Sequence, residues 1–71
     1  MSVEVMSPIS GKILEVCVQV GDQVNEDDEL FSIEAMKMQN PIYADSSGIV
    51  KEIKVKQDDE VKEDAVLLIL E

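Results

Sequence analysis

The chain has no histidine and no tryptophan, one cysteine, one tyrosine, one phenylalanine, three glycines and two prolines in 71 residues. Each scarcity excludes something. A single cysteine, Cys17, cannot close an internal disulfide, and without histidine there are no ordinary zinc sites and no Cys–His or Ser–His nucleophile systems. Six basic residues against sixteen acidic ones leave a formal net charge of −10. That balance excludes an electrostatic grip on nucleic acid, which needs Lys and Arg to displace counterions, and a polybasic attraction to anionic lipid. No apolar run nears bilayer-spanning length and no basic-then-apolar leader is present, so direct membrane insertion is not expected and a cytoplasmic, reducing setting is. Neither a catalytic residue nor a metal site is expected, and catalysis by this chain alone is not. Residues 1–71 read as one small module, short enough to bury only about 60% of its unfolded surface.

What is present is an internal repeat. Displaced by 37 positions, Ser10–Glu34 lies over Ser47–Glu71, and ten of the 25 pairs are identical. They are Ser10/Ser47, Gly11/Gly48, Glu15/Glu52, Val18/Val55, Asp22/Asp59, Val24/Val61, Glu26/Glu63, Asp27/Asp64, Leu30/Leu67 and Glu34/Glu71. Ile13/Val50, Val16/Ile53 and Ile33/Leu70 extend the apolar pattern. Two copies are too few for a solenoid. They predict two half-domains, about 7–34 and 45–71, related by a pseudo-two-fold axis, neither large enough to stand alone.

Within each half the hydrophobic period is two. Leu14, Val16, Val18 and Val20 alternate with polar neighbours, as do Ile53 and Val55, which marks strands with one buried and one wet face. Gly21-Asp22 and Asp58-Asp59 interrupt as turns. Short strands follow near Val24 and Val61, longer ones over 29–34 and 66–70, and further ones over 3–6 and 39–44. About eight short strands predict an all-β fold of two four-stranded antiparallel sheets packed face to face. Leu14, Val16, Val18, Ile33, Ile53, Val55, Leu68 and Leu70 are the expected core, with Cys17 and Lys54 facing solvent.

Glu34-Ala35-Met36-Lys37-Met38 stands apart. Every residue is a good helix former. The residues leading into it, 29–33, align with the compact run at 66–70, and this, with the nearby Pro41, which would end a helix, predicts instead a tight hairpin turn over 35–38 joining the halves. Two methionines at a hairpin tip are odd, and the Asn, Asp and Gly that such turns favour are missing. From the residues alone, Lys37 is either a displayed amine or a lysine snorkelling beside core methionines on an ordinary strand.

This run resembles the attachment signature of the biotinyl domain, the biotin carboxyl carrier module of biotin-dependent carboxylases, decarboxylases and transcarboxylases. Ser7-Pro8-Ile9-Ser10-Gly11-Lys12-Ile13 is similar to that family's opening stretch, and Val20-Gly21-Asp22-Gln23-Val24 to its first turn. The resemblance covers nearly the whole chain. It implies a flattened barrel of two four-stranded sheets with the modified lysine on the turn between the fourth and fifth strands. It also implies biotin joined covalently to Lys37 by a biotin–protein ligase, with Glu34, Ala35, Met36 and Met38 as recognition residues for partners. The implied role is non-catalytic: carboxylate, carried on the biotin ring, passes from a biotin carboxylase or decarboxylase site to a carboxyltransferase acting on an acyl-CoA or keto acid.

Aspartates occupy three places where the family carries glycine or the first repeat does: Asp27, Asp64 and Asp58. Asp tolerates a left-handed backbone, so these turns are expected to persist. Cys17–Asp28 runs without the inserted thumb of some bacterial carriers. The chain reads either as a free-standing subunit or as a piece cut from a longer one at Ser2. Cys17 has no basic neighbour to activate it, and 25–29 lacks the ligand spacing of a calcium loop. Two rival functions remain: a lipoyl-type acyl carrier of oxo-acid dehydrogenases, against which Met36 and Met38 argue, and an unmodified adaptor module.

Overall fold

The computed structural model describes residues 2–71. Eight strands follow one another, with no helix among the described residues: β1 (Val3–Met6), β2 (Gly11–Val16), β3 (Gln23–Val24), β4 (Glu29–Ala35), β5 (Met38–Tyr43), β6 (Gly48–Ile53), β7 (Glu60–Val61) and β8 (Val66–Leu70). They form two four-stranded antiparallel sheets, ordered β1-β8-β6-β3 and β5-β4-β2-β7. The result is the expected all-β flattened barrel, 33 × 17 × 17 Å. Exchanging β1 with β5, β2 with β6, β3 with β7 and β4 with β8 turns one sheet into the other, which is the pseudo-two-fold axis of the repeat.

Each sheet contains strands from both halves, so the repeats are interlocked rather than stacked. Hydrogen bonds repeat the exchange. Val50 accepts from Gly21 N and donates to Asp22 O (2.8 and 2.9 Å), and Ile13 accepts from Asp58 N and donates to Asp59 O (2.8 Å each). Ser10 Oγ accepts from Glu63 N at 2.9 Å, and Ser47 Oγ from Glu26 N at 3.4 Å.

Four β-turns, 19–22, 25–28, 56–59 and 62–65, are each closed by a bond from the last N–H to the first carbonyl, 3.0–3.1 Å long. Their third residues are all left-handed: Gly21 (φ 97°), Asp27 (76°), Asp58 (76°) and Asp64 (72°). The three aspartates do keep the turns. In three of the turns the last residue is also an aspartate, whose carboxylate accepts the first residue's N–H: Asp22, Asp28 and Asp59, at 2.9, 2.8 and 3.0 Å. Such Asx-type closure stabilises the turn locally.

The core differs in part from the expectation. Ile33, Leu68 and Leu70 are buried, whereas Leu14, Val16, Val18, Ile53 and Val55 are only half-buried. A β-bulge explains the shift of phase. Pairing of β2 with β4 passes from Ile13↔Ile33 to Glu15↔Ser32, which leaves Leu14 as the extra residue, and β6 with β8 passes from Val50↔Leu70 to Glu52↔Ile69, which leaves Lys51. An extra residue inverts the alternation that follows it. Ile13 and Val50, ahead of the bulges, thus point into the core out of phase with Val16 and Ile53 beyond them, which pack against it, and they are joined by Leu30, Phe31, Ile33 and Leu67. Val18 and Val55 lie beyond the ends of β2 and β6 and pack against the core's rim. Cys17 and Lys54 are exposed, as expected.

Ile13→Ala should therefore destabilise by about 2–5 kcal/mol, as buried aliphatic truncations do. Leu14→Ala should cost no more than about 1 kcal/mol. Urea unfolding of the two variants checks the assignment, and equal losses would contradict the bulge.

Candidate functional site

Strands β4 and β5 form a hairpin paired from Glu29↔Tyr43 up to Ala35↔Met38, so only Met36 and Lys37 lie in the loop. Both have positive φ, 55° and 62°. A two-residue hairpin of this kind, type I′, demands that backbone because its twist matches the strands it joins. Asn-Gly would supply it without strain, whereas a side chain with a Cβ in the left-handed region costs about 1–2 kcal/mol. The other left-handed non-glycine residues are all aspartates. Met36 and Lys37, lacking that tolerance, concentrate backbone strain at one point of the molecule, a common mark of a functional site.

The strain displays side chains. Met36 is 93% and Met38 65% exposed, and Lys37 and Glu34 are exposed beside them while Ala35 is half-buried. Lys12, Lys51 and Lys54 each lie within ion-pair distance of a carboxylate, at 3.7, 3.1 and 3.2 Å. Among the described residues Lys37, Lys56 and Lys62 have no such partner, and of these only Lys37 lies in a hairpin loop between paired strands. The Lys37 amine is free in solvent, and no basic group stands ready to deprotonate it, so any acylation depends on an external enzyme. An exposed primary amine on a projecting two-residue loop fits amide attachment of a carboxylic acid cofactor.

Below the tip, β2 approaches closely. A Cβ on Gly11 would come within 2.7 Å of Ile33 Cγ2 and strike the Glu34 carbonyl, so glycine is required there. At the equivalent Gly48 the nearest atom would be 3.2 Å away. Lys12 pairs across the strands with Glu34, and Glu34 with Gln39. Two side chains that sequence reading did not single out brace the hairpin: Gln39 Nε2 donates to Ser32 Oγ at 2.8 Å, and Asn40 Nδ2 donates to the carbonyls of Met38 (3.2 Å) and Ile33 (3.4 Å). The signal available for them was their placement as consecutive carboxamides directly after the lysine turn.

Away from the tip, Cys17 Sγ lies 3.9 Å from Glu29 Oε2. Burial, and then the charges of Glu29 and Glu15, push its thiol above the usual range, the opposite of what a nucleophile needs. No three His, Cys, Asp or Glu residues gather as a metal-binding set among the described residues, and no helix there is long and apolar enough to cross a membrane.

Comparison with known proteins agrees with this geometry. A family profile described as "Biotin-requiring enzyme" matches residues 3–70. The chain belongs to this biotin/lipoyl attachment family and is a biotinyl-type domain. It is 48% identical over 60 residues to a biotin/lipoyl attachment protein of Bacillus subtilis, spanning 84% of this chain and 82% of that one. It is 45% identical over 65 residues to the mitochondrial propionyl-CoA carboxylase alpha chain of Sus scrofa, spanning 92% of this chain and 9% of that one. A dihydrolipoyllysine-residue acetyltransferase component of Cupriavidus necator is 41% identical over 59 residues, 83% of this chain and 11% of that one. Among solved structures, urea carboxylase of Kluyveromyces lactis superposes with a TM-score of 0.93 at 28% identity, covering all of this chain and 6% of that one. The chain thus spans most of one relative and about a tenth or less of the large enzymes.

The turn strain can be measured. Met36→Gly, which adopts the left-handed region freely, should leave stability unchanged or raise it by up to about 1 kcal/mol, whereas Met36→Val should lower it by about 1–2 kcal/mol. Thermal unfolding of both variants reads the difference, and the reverse order would mean that Met36 is not left-handed in solution.

Proposed function

We propose that Lys37 carries biotin through an amide at Nζ and that the domain is a non-catalytic carboxyl carrier. It would travel between a biotin carboxylase or decarboxylase site and a carboxyltransferase acting on an acyl-CoA or keto acid. The observation that carries this reading is the exposed, unpaired Lys37 amine on a strained two-residue loop at the head of the hairpin. Family membership and the carboxylase relatives support biotin as the group it holds. When bound, biotin supplies a ureido nitrogen that can accept and release a carboxyl group.

The chain's own residues do three things. Ala35 and Met38 close the loop and fix where Nζ starts. Met36 and Met38 offer soft, adaptable apolar surface on either side of it, suited to a module that must dock with a ligase, a carboxylase and an acceptor enzyme in turn. Covalent attachment keeps the cofactor at high effective concentration wherever the domain docks. Glu34 and Ala35 complete the surface a ligase would read. Acylation also removes the positive charge of Lys37, leaving the head of the hairpin more apolar.

The Cupriavidus relative favours a second reading, lipoyl attachment at the same lysine. Intact mass after co-expression with a biotin–protein ligase, and separately with a lipoyl ligase, distinguishes the two cofactors. An unmodified adaptor would gain mass in neither case.

Lys37→Arg should abolish avidin binding after ligase treatment, because arginine keeps the charge without a comparable amine. Retained binding would move the attachment to another lysine. Met36→Ala and Met38→Ala should stay within about 0.5 kcal/mol of the parent stability, as exposed positions do. The same changes should slow biotinylation or carboxyl transfer, which ligase and carboxylase rates would reveal. Large destabilisation with normal rates would give the methionines a structural role instead.

A further inference from the structure

We infer that Gln39 and Asn40 are positioning residues: a two-sided clamp that fixes the register of β4 against β5 and so sets the direction in which the two-residue loop presents Lys37. The inference rests on Lys37 being the attachment residue, and it addresses how that lysine is held there. Nothing in Met36-Lys37 selects a two-residue turn, since both side chains oppose the backbone it requires. A slip of one residue, to a three-residue loop over 35–37 or 36–38, would relieve that strain, flip the side chains of β5 to the other face and turn Lys37 to a different direction within the loop. Register must therefore be held by other contacts.

Backbone pairing with β4 and the buried Ile42 hold the lower part of β5, whereas the part next to the loop buries no apolar side chain. Strand β5 is at the edge of its sheet, with β4 as its one neighbour. Pro41 offers no N–H, and the pairing already shifts between Glu29 and Phe31 at the hairpin's base. The clamp sits above this weak region. Gln39 lies opposite Glu34 and Asn40 opposite Ile33, so the two carboxamides project to opposite faces. On one face Gln39 Nε2 partners the hydroxyl of Ser32, which is 1% exposed. On the other, Asn40 Nδ2 spans from Ile33 O on β4 to Met38 O beside the loop. A slipped register leaves the buried Ser32 hydroxyl without its donor, and the Ile33 carbonyl loses the Asn40 amide. Leaving a buried polar group unpaired is more costly than losing an exposed bond, so the correct register is favoured from both sides at once.

The test compares the full-length unmodified domain with Asn40→Asp, which keeps size and removes the donor, Gln39→Met, which keeps length and removes the amide, and the double variant. Val50→Ala, a buried change in the other sheet, serves as a control for global stability. Amide hydrogen exchange at Ala35 and Met38 should quicken about tenfold in the double variant, with Leu68 and Leu70 unchanged. Biotinylation by the ligase should show KM raised about tenfold with kcat within about twofold, because the competent loop is reached less often but unaltered when reached. Unchanged exchange and KM in the double variant would overturn the clamp, and so would an equal rise of KM in Val50→Ala. Biotin still accepted by Lys37→Arg would instead overturn the attachment reading, while the exchange measurement would continue to report on the clamp.

Discussion

The structure depends on the reciprocal backbone bonds at Ile13 and Val50, through which each half of the chain closes the sheet of the other. Both residues are fully buried, and both immediately precede a bulge. Their carbonyl and amide groups reach the turns at 58–59 and 21–22, so β2 and β6 are tied to the turns of the opposite repeat. A half-chain would lack one of the two partner strands of its own β2 or β6 and would bury too little apolar surface to offset its conformational entropy. Interlocking is how 71 residues without a disulfide hold a rigid scaffold.

Rigidity of that scaffold bears directly on the head of the hairpin. The pseudo-two-fold axis relates the β4–β5 pair to the β8–β1 pair, yet only the former is joined by a loop, and that loop is where the symmetry fails. Two residues in a strained conformation persist only when their surroundings over-determine them. Here the surroundings are Gly11, which lets β2 approach the base of the hairpin, and the bonds of Gln39 and Asn40 on its two faces. Strain at Met36 and Lys37 is thus offset by packing and hydrogen bonding one to five residues away.

Much of this was legible in the chain itself. The 37-residue repeat gave the symmetry, period two gave the strands, and the turn aspartates were read correctly because Asp tolerates left-handed φ. The bulges were not, since strict alternation through Leu14, Val16 and Val18 looks continuous to a periodic reading. The alignment of Leu14 with Lys51 was the overlooked signal, because a lysine at that position argues against an inward side chain. Gln39 and Asn40 escaped for a different reason. Side-chain bonds to Ser32 and to main-chain carbonyls leave no pattern in composition or period, and they appear only when β4 and β5 lie side by side.

A carrier has to combine an arm that moves with an origin that does not. The long lysine side chain and whatever it bears sweep a volume set by their length, and effective concentration at a partner's site falls as that volume grows. If the loop itself also wandered between registers, the swept volume would enlarge and the fraction of domains offering the amine correctly would fall, with apparent affinity reduced in proportion. Placing flexibility in the side chain and stiffness in the backbone avoids both losses. This explains why a loop with unfavourable residues is preferable to a relaxed one: Gly or Asn at 36 and 37 would ease the turn but remove the apolar contact surface and the amine together. On the proposed attachment at Lys37, the head of the hairpin accepts local strain for what Met36 and Lys37 present, and the interlocked sheets beneath it make that strain tolerable.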